Sequence, residues 1–310
     1  MRVHFQPTDP GTRWVKDPGV VIEPPDASGT RKALTPNVVD VPGGYRMYYT
    51  VYETLVGSDS DSQLTRGNVL SAFSTDGSRW ELESGVRLAP HEPTAGQRVV
   101  CPDVIPTDDG GWRMYFEAQP FDGPSSIGSA YSRDGLTFDP EPAVRFGEGV
   151  WRYGSPRVLP TNGGFRMYFH RYTHPLRMGL DAGNHIISAF SRDGMTFEQE
   201  AGVRIAQESP LEDFAVYAPE VIRLGDASYR MYYAGWTVEP VRGRVFSARS
   251  TDGLAWTKDP EINLDFGGRY DAEKCSEPCV TRLPDGRYRM FYEACDEQHV
   301  WRILSATAAG

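Results

Sequence analysis

Residues 36–49, Pro-Asn-Val-Val-Asp-Val-Pro-Gly-Gly-Tyr-Arg-Met-Tyr-Tyr, form a unit that recurs along this 310-residue chain. Each copy begins with Pro-x-Val or a close variant, passes through a Gly- or Asp-containing turn, and ends on Arg-Met and two aromatic residues. The endings are Arg46-Met47-Tyr48-Tyr49, Arg113-Met114-Tyr115-Phe116, Arg166-Met167-Tyr168-Phe169, Arg230-Met231-Tyr232-Tyr233 and Arg289-Met290-Phe291-Tyr292. Self-similarity at a nearly constant period indicates a repeat architecture.

A second motif, Ser-x-Asp-Gly-x-x-Trp/Phe, follows a short Ser-Ala strand in four of the repeats. Its copies are Ser74 to Trp80, Ser132 to Phe138, Ser191 to Phe197 and Ser250 to Trp256. Asp-Gly between strand-forming residues is a strong hairpin signal. Each repeat is therefore predicted to hold four strands, as a propeller blade does. The sequence predicts an all-β fold, a five-bladed β-propeller with four-stranded blades.

The last repeat has no hairpin of its own after Ser305-Ala306-Thr307, but a similar segment, Thr8 to Trp14, lies near the other end of the chain. We therefore expect residues 1–30 to complete the last blade and close the ring. Closure would remove free sheet edges, which invite aggregation. Residues 1–310 are predicted to form one domain.

Composition excludes several classes of function. The net charge of −10 argues against a nucleic-acid partner, because phosphate binding needs a basic surface. The apolar runs are too short to span a membrane, and Met1 to Asp9 is too polar for a signal peptide, so we expect a cytoplasmic protein. The four cysteines (Cys101, Cys275, Cys279 and Cys295) are predicted to be buried thiols, with a Cys279–Cys295 bridge as the alternative.

The ligand site is expected at the end of the propeller that carries the irregular connections. Turns between the first and second strands, and the Asp-Gly hairpins, are uniform among the repeats, whereas the other connections vary in length. Variable loops usually display binding groups. The site should therefore be framed by the starts of the first strands, the ends of the second strands and the starts of the third strands.

Equivalent positions at that end carry unlike polar residues, as expected for a site and not for a scaffold. The candidate catalytic carboxylates are Asp103, Glu220, Glu277, Glu117 and Glu293. The candidate ligand-binding residues are Arg98, Arg152, Tyr153, Arg157, His170, His185, Tyr217, Trp236, Arg244 and Arg302. Basic side chains also stand four residues before the proline in four repeats, at Lys32, Arg98, Arg152 and Lys274.

Structural alternatives to these assignments remain open. Asp103, Arg157 and Glu220 could equally form an ion triad around the channel. His170, His174 and His185 could converge on a metal ion, but loop histidines more often form hydrogen bonds, so we predict neither a metal nor a cofactor. The arginine of every Arg-Met unit is predicted to stabilise the scaffold through the hairpin aspartates, Asp76, Asp134, Asp193 and Asp252.

The hairpin motif and the aromatic second strand resemble those of the five-bladed glycoside hydrolases. These are the arabinanase and xylosidase group (family 43), the invertase and fructanase group (family 32) and the related mannoside phosphorylases. The resemblance covers essentially the whole chain and implies a carbohydrate-active enzyme. Its members carry an Asp directly before the proline and a Glu two residues before it. Here only Glu277-Pro278 matches, and in Cys101-Pro102-Asp103 the invertase-group acid is replaced by Val100.

We therefore expect acid–base cleavage of a glycosidic bond in a pocket at the central channel. In this hypothesis Asp103 and Glu220 are ionised, one of Glu277, Glu117 and Glu293 donates the proton, and aromatic residues stack on the sugar. One alternative is a lyase, isomerase, cyclase or phosphorylase that acts on a small metabolite in the same pocket. Another is a sugar-binding propeller without catalysis.

Overall fold

The structure, a computed structural model, describes residues 5–25, 31–54, 65–174 and 183–309. In these ranges the chain forms strands and no helix, so the predicted all-β class is confirmed. The short N-terminal strands are β1 (Phe5–Gln6) and β2 (Trp14–Lys16). The others, in chain order and by repeat, are β3 (Arg31–Val41), β4 (Gly44–Thr54), β5 (Thr65–Ser74) and β6 (Glu81–Leu82); β7 (Arg98–Pro106), β8 (Trp112–Gln119), β9 (Ser126–Ser132) and β10 (Asp139–Pro140); β11 (Tyr153–Thr161), β12 (Gly164–Tyr172), β13 (Asn184–Ser191) and β14 (Glu198–Gln199); β15 (Ala215–Leu224), β16 (Tyr229–Thr237), β17 (Arg242–Ser250) and β18 (Thr257–Lys258); β19 (Lys274–Arg282), β20 (Tyr288–Cys295) and β21 (Trp301–Ala308).

Successive strands of each repeat pair antiparallel, from β3 to β6, β7 to β10, β11 to β14, β15 to β18 and β19 to β21. The N-terminal strand β2 pairs with β21, with Trp14 opposite Ala308. It therefore supplies the fourth strand of the last repeat, as the sequence predicts. Strand β1 pairs parallel with β15, a contact that the repeat pattern does not indicate.

The hydrophobic core lies between neighbouring repeats. Tyr48 of the first repeat and Met114 of the second belong to one buried cluster, and Phe291 of the last repeat and Met47 of the first belong to another. Tyrosine hydroxyls reinforce these contacts, since Tyr48 donates a hydrogen bond of 2.8 Å to the carbonyl of Gly135 in the next hairpin. Tyr232 donates in the same way to Gly11, which identifies the N-terminal turn as the structural equivalent of a hairpin.

The arginines of the Arg-Met units have a scaffold role, but their predicted partners are wrong. They pair with carboxylates that follow the hairpins: Arg46 with Glu83, Arg113 with Glu141, Arg166 with Glu200, Arg230 with Asp259 and Arg289 with Asp17. Arg230 also pairs with Asp9, which lies within the N-terminal segment that resembles a hairpin. The hairpin aspartates are used locally. Asp76 Oδ1, for example, accepts hydrogen bonds from the amides of Ser78 and Arg79, and these lower the pKa of its carboxyl group.

The four cysteines are buried and free, so the alternative bridge between Cys279 and Cys295 is not formed. Within the described ranges, no helix long and apolar enough to cross a bilayer is present.

Candidate active site

A β-bulge in the first strand of every repeat shapes the centre of the molecule. The residue before the conserved proline has a positive φ of 49–53° in all five repeats, at Thr35, Cys101, Ser155, Ala218 and Glu277. In the first repeat, residues 35 and 36 lie opposite Tyr49 alone, the two-against-one pattern of a bulge. Left-handed backbone is costly for residues other than glycine and clusters at functional sites. The bulge thus turns one side chain per repeat away from the regular strand direction.

A cavity of about 290 Å³ opens beside these bulges. Its lining includes six of the predicted site residues, namely Glu117, His170, Tyr217, Trp236, Glu277 and Glu293. The rest of the lining is formed by Leu34, Thr35, Tyr52, Val100, Cys101, Ser155, Tyr172, Asn184, Phe214 and Ala215. The repeat pattern contains a signal that marks Thr35, Cys101 and Ser155 as equivalent positions, because each directly precedes the repeat proline.

Three glutamates line this cavity. Glu277 is a bulge residue in the first strand of its repeat, whereas Glu117 and Glu293 lie in second strands. Glu277 is a bulge residue of β19, and its Oε1 accepts a hydrogen bond of 3.3 Å from the Ser155 hydroxyl. Its buried Oε2 has no hydrogen-bond partner among the described residues. Glu293 of β20 accepts bonds from the Ser276 hydroxyl (2.7 Å) and the Thr35 amide (3.3 Å). Glu277 therefore keeps one carboxyl oxygen for a ligand.

Burial raises the pKa of all three carboxyl groups. For Glu277 the pKa is well above its usual value, because burial is reinforced by the charge of Glu293, while Arg157 acts in the opposite direction. Burial raises the pKa of Glu293 to about 7, against bonds from Ser276 and Thr35. The pKa of Glu117 is also raised by burial, but Arg98 is the largest opposing influence, and Arg152 assists. The three carboxyl groups thus share a raised pKa, and arginine opposes the effect of burial at Glu117 and at Glu277.

The remaining cavity walls are aromatic and neutral. Burial lowers the pKa of His170 to about 3, so its imidazole is uncharged at neutral pH. His170 lies edge-on to Tyr172 and Tyr217, with ring centroids 5.5 and 5.9 Å apart. Tyr217 in turn lies edge-on to Trp236 at 5.6 Å. Such walls suit the apolar face of a sugar ring.

The histidine cluster that was considered as an alternative metal site is not formed among the described residues. In the described part of the chain, the ligand atoms of His170, His174 and His185 do not gather closely enough to hold an ion. The group that does is Glu273, Cys295 and His299, in which the histidine is exposed.

Asp103, Arg157 and Glu220 lie outside this cavity, in a buried ring of bonds that connects neighbouring repeats. Arg157 Nε is 3.0 Å from Glu220 Oε2. Asp103 accepts a bond of 2.7 Å from the Val158 amide, and Glu220 accepts one of 3.0 Å from the Val280 amide. Glu220 borders a separate cavity of about 180 Å³, formed with residues 5–7 and 280–283. This placement favours the ion triad over the predicted catalytic and ligand-binding roles.

Four other predicted binding residues do not line the cavity: Tyr153, Arg244, Arg302 and His185. Tyr153 is buried against Phe146 and Phe169, so it packs in the core and does not line the cavity. Arg244 pairs with Asp265, and Arg302 pairs with Asp296. His185 is partly buried and does not line the cavity. Burial lowers the pKa of its imidazole, and the positive charge of Arg171 lowers it further.

Glu117 and His170 occupy the space that a side chain at Gly154 would fill. A Cβ at this position would lie 2.1 Å from Glu117 Oε2 and 2.6 Å from His170 Cε1. We expect Gly154→Ala to displace both side chains and to lower the free energy of unfolding by about 1–3 kcal/mol, the usual cost of overpacking. Urea denaturation measures the effect.

Gly96→Ala is the matched control, because its Cβ would meet the exposed Glu92 side chain at 2.3 Å and Phe121 at 3.0 Å, and both can move. Equal stability of the two variants would show that Gly154 is not constrained by the site.

Comparisons with known proteins bear on the fold. No protein-family profile matches the chain. Two uncharacterised proteins of Mycobacterium tuberculosis, from strains CDC 1551 and H37Rv, are 27% identical over 219 residues, which is 64% of this chain and 68% of each relative.

Solved structures are similar over nearly the full length. A glycoside hydrolase superposes with a TM-score of 0.78 at 18% identity, covering 96% of this chain and 93% of its own. A thermostable family-43 glycoside hydrolase gives 0.70 at 18% identity, with coverages of 92% and 91%. A structure titled for the GH130 family of mannoside phosphorylases, which contains glycoside hydrolases that target β-1,2-mannosidic linkages in Candida mannan, gives 0.74 at 13% identity, with coverages of 95% and 93%. The chain therefore has the propeller fold of these glycoside hydrolases, as its sequence motifs predict.

Proposed function

We propose that this chain is a carbohydrate-active enzyme that cleaves a glycosidic bond, with Glu277 as the proton donor and Glu117 as the second carboxylate. The observation that carries the proposal is the state of Glu277. It is 4% exposed, it keeps one carboxyl oxygen without a partner in the described ranges, and it lines a cavity with two further glutamates. The likeness to glycoside hydrolase structures supports the reaction class.

The proposed chemistry uses the difference between the two acids. A glycosidic oxygen is a poor leaving group until it is protonated, and a carboxyl group with a raised pKa still holds its proton near neutrality. Glu277 would give that proton to the leaving oxygen. Glu117, whose ionised form Arg98 and Arg152 stabilise, would either activate a water molecule or attack the anomeric carbon.

We also propose that the five repeats are five blades of a closed ring. The pairing of β2 with β21 supports this reading, as does the buried cluster that Phe291 and Met47 share. A hydrogen bond of 3.2 Å from the Val38 amide to Cys279 Sγ links the first repeat to the last. This bond occupies the same position as the bond from Val158 to Asp103 between the second and third repeats. In this proposal, the cavity lies at one mouth of the central channel.

A panel of 4-nitrophenyl glycosides, pyranosides and furanosides of both anomers, tests the proposal. Turnover of a glycoside in the absence of phosphate is the expected result. Turnover that requires inorganic phosphate would assign a phosphorylase instead. Binding of sugars without turnover of any panel member would support the non-catalytic alternative.

The raised pKa of Glu293 predicts a particular dependence of stability on pH. Its folded-state pKa of about 7 exceeds the ordinary 4.5, so the folded state binds this proton more tightly than the unfolded state does. The resulting stabilisation is complete below about pH 4.5 and is lost as the pH rises through 7. A shift of this size corresponds to about 3 kcal/mol.

We therefore expect Glu293→Gln to lose less stability than the wild type when the pH is raised from 5 to 8.5, as measured by urea denaturation at both values. Glu261→Gln, at an exposed position, should follow the wild type. Parallel pH profiles for all three proteins would mean that Glu293 titrates normally.

A further inference from the structure

Four basic side chains stand at equivalent positions of the repeats, and three of them act on residues that line the cavity: Arg98 and Arg152 on Glu117, and Lys274 on Trp236. Lys32, Arg98, Arg152 and Lys274 each stand four residues before the repeat proline, although the protein as a whole has a net charge of −10. We call these four residues the cationic rim. An acidic protein that gathers positive charge at one mouth creates a local field that attracts anions.

The rim has two sides with different surroundings. On one side, Arg98 lies 5.5 Å from the ring centroid of Tyr52, and Arg152 Nη1 is 3.4 Å from Gln119 Oε1. Both arginines lower the pKa of Glu117 against the effect of burial. Their charges therefore have a partner in the proposed mechanism, the ionised Glu117.

On the other side, two lysines lie on a tryptophan platform. Lys274 Nζ is 4.3 Å from the ring centroid of Trp236 and 5.1 Å from that of Trp301, and Lys32 Nζ is 5.8 Å from Trp301. The two indole rings are stacked, 6.4 Å apart and 21° from parallel. Trp236 also lines the cavity, so the platform leads directly from the site to the lysines.

Two neighbouring ammonium groups are costly in this position. Burial lowers the pKa of Lys274, and the positive charge of Lys32 lowers it further, although Cys295, Glu273 and Glu293 act in the opposite direction. The negative charge of Glu293 cannot fully offset the two ammonium charges, because its pKa of about 7 leaves the carboxyl group partly protonated at neutral pH. An anion held between the lysines would remove this repulsion and gain charge-assisted hydrogen bonds.

We propose that the substrate is an acidic sugar, a uronic acid glycoside, whose carboxylate lies between Lys32 and Lys274 while its ring lies along Trp236. This inference rests on the proposed function, because it names the substrate class of the same cavity. A neutral sugar requires hydroxyl-binding groups and an aromatic face, but it gives no role to paired lysines at the end of that face. The carboxylate at C5 of a pyranose projects from the edge of the ring, which suits a cation beside the stacking residue.

Matched pairs of sugars that differ only in oxidation at C6 test the inference by calorimetry. The methyl glycosides of glucuronic and galacturonic acids are compared with those of glucose and galactose, for both anomers. We expect one uronide to bind at least about 10-fold more tightly than its neutral partner, and the preference to fall with ionic strength. In Lys274→Gln and Lys32→Gln, the ratio of uronide affinity to neutral-sugar affinity should fall towards one.

Arg287→Gln, which removes an exposed arginine paired with Asp285, is the control and should keep the preference. Equal affinity for both members of every pair would overturn the inference, as would an equal loss of preference in Arg287→Gln. Inorganic phosphate that displaces the uronide and binds as tightly would assign the lysines to a free anion and would also overturn it. Binding is measured without turnover. A uronide that binds but is not cleaved would therefore contradict the proposed function alone, and a cleaved neutral glycoside without uronide preference would contradict this inference alone.

Discussion

Replacement of Glu277 by glutamine is expected to lower the turnover of an unactivated glycoside by about 10²–10⁴-fold, the usual contribution of a general acid. The amide keeps the volume of the carboxyl group and can still accept a bond from Ser155, but it has no proton to give to the leaving oxygen. The loss should be smaller for aryl glycosides with good leaving groups, since these need less protonation. Steady-state kinetics on a series of aryl glycosides measures the effect.

Stability separates this loss of activity from a loss of fold. The buried carboxyl group of Glu277 has a raised pKa, so a neutral amide at this position should leave stability at pH 8 equal or higher. The control Glu261→Gln changes an exposed carboxylate and should leave kinetics and stability unaltered. A Glu277→Gln protein with full turnover on unactivated glycosides would remove Glu277 from the mechanism.

The second large effect concerns stability. We expect Arg157→Ala to lower the free energy of unfolding by about 3–5 kcal/mol, because it leaves the carboxylate of Glu220 buried without its counterion. Both partners of this pair are 2% exposed. Arg157 also donates hydrogen bonds to the carbonyls of Pro36, Pro102 and Pro156. Together with its ion pair to Glu220, this one side chain connects four repeats. Urea denaturation gives the change in midpoint and slope.

An exposed ion pair provides the comparison. Arg287 and Asp285 are 62% and 49% exposed, and their removal should lower the free energy of unfolding far less than Arg157→Ala does, because solvent screens their charges. If Arg157→Ala is as stable as Arg287→Ala but loses affinity for the ligand, Arg157 belongs to the binding site, as its position in the repeat first suggested. A large loss of stability in Arg157→Ala alone supports the structural role.

The repeat pattern predicted the fold more fully than it predicted the site. The Asp-Gly hairpins and the Arg-Met strands predict which segments pair, and the similarity of Thr8 to Trp14 with a hairpin predicts the pairing of β2 with β21. These features are local and recur, so each copy supports the others. The position after the aromatic pair was equally informative, because Glu117, His170 and Glu293 all line the cavity.

The bulge accounts for the positions of Asp103 and Glu220, two candidates that lie outside the cavity. Side chains of a regular strand alternate between two faces, but an extra residue shifts this alternation by one. Nothing in Cys101-Pro102 or Glu277-Pro278 indicates a left-handed residue, since a residue before proline ordinarily prefers an extended backbone. The bulge residue Glu277 thus lines the cavity, whereas Asp103 and Glu220, which follow the proline, bond to the amides of the next repeat.

A crystal structure of Glu277→Gln with an intact glycoside bound tests the central claim most directly. We expect the scissile oxygen to lie about 3 Å from the side-chain nitrogen of the glutamine, with Glu117 on the opposite side of the anomeric carbon. A glycoside bound outside this cavity, or one whose scissile oxygen is turned away from residue 277, would contradict the account.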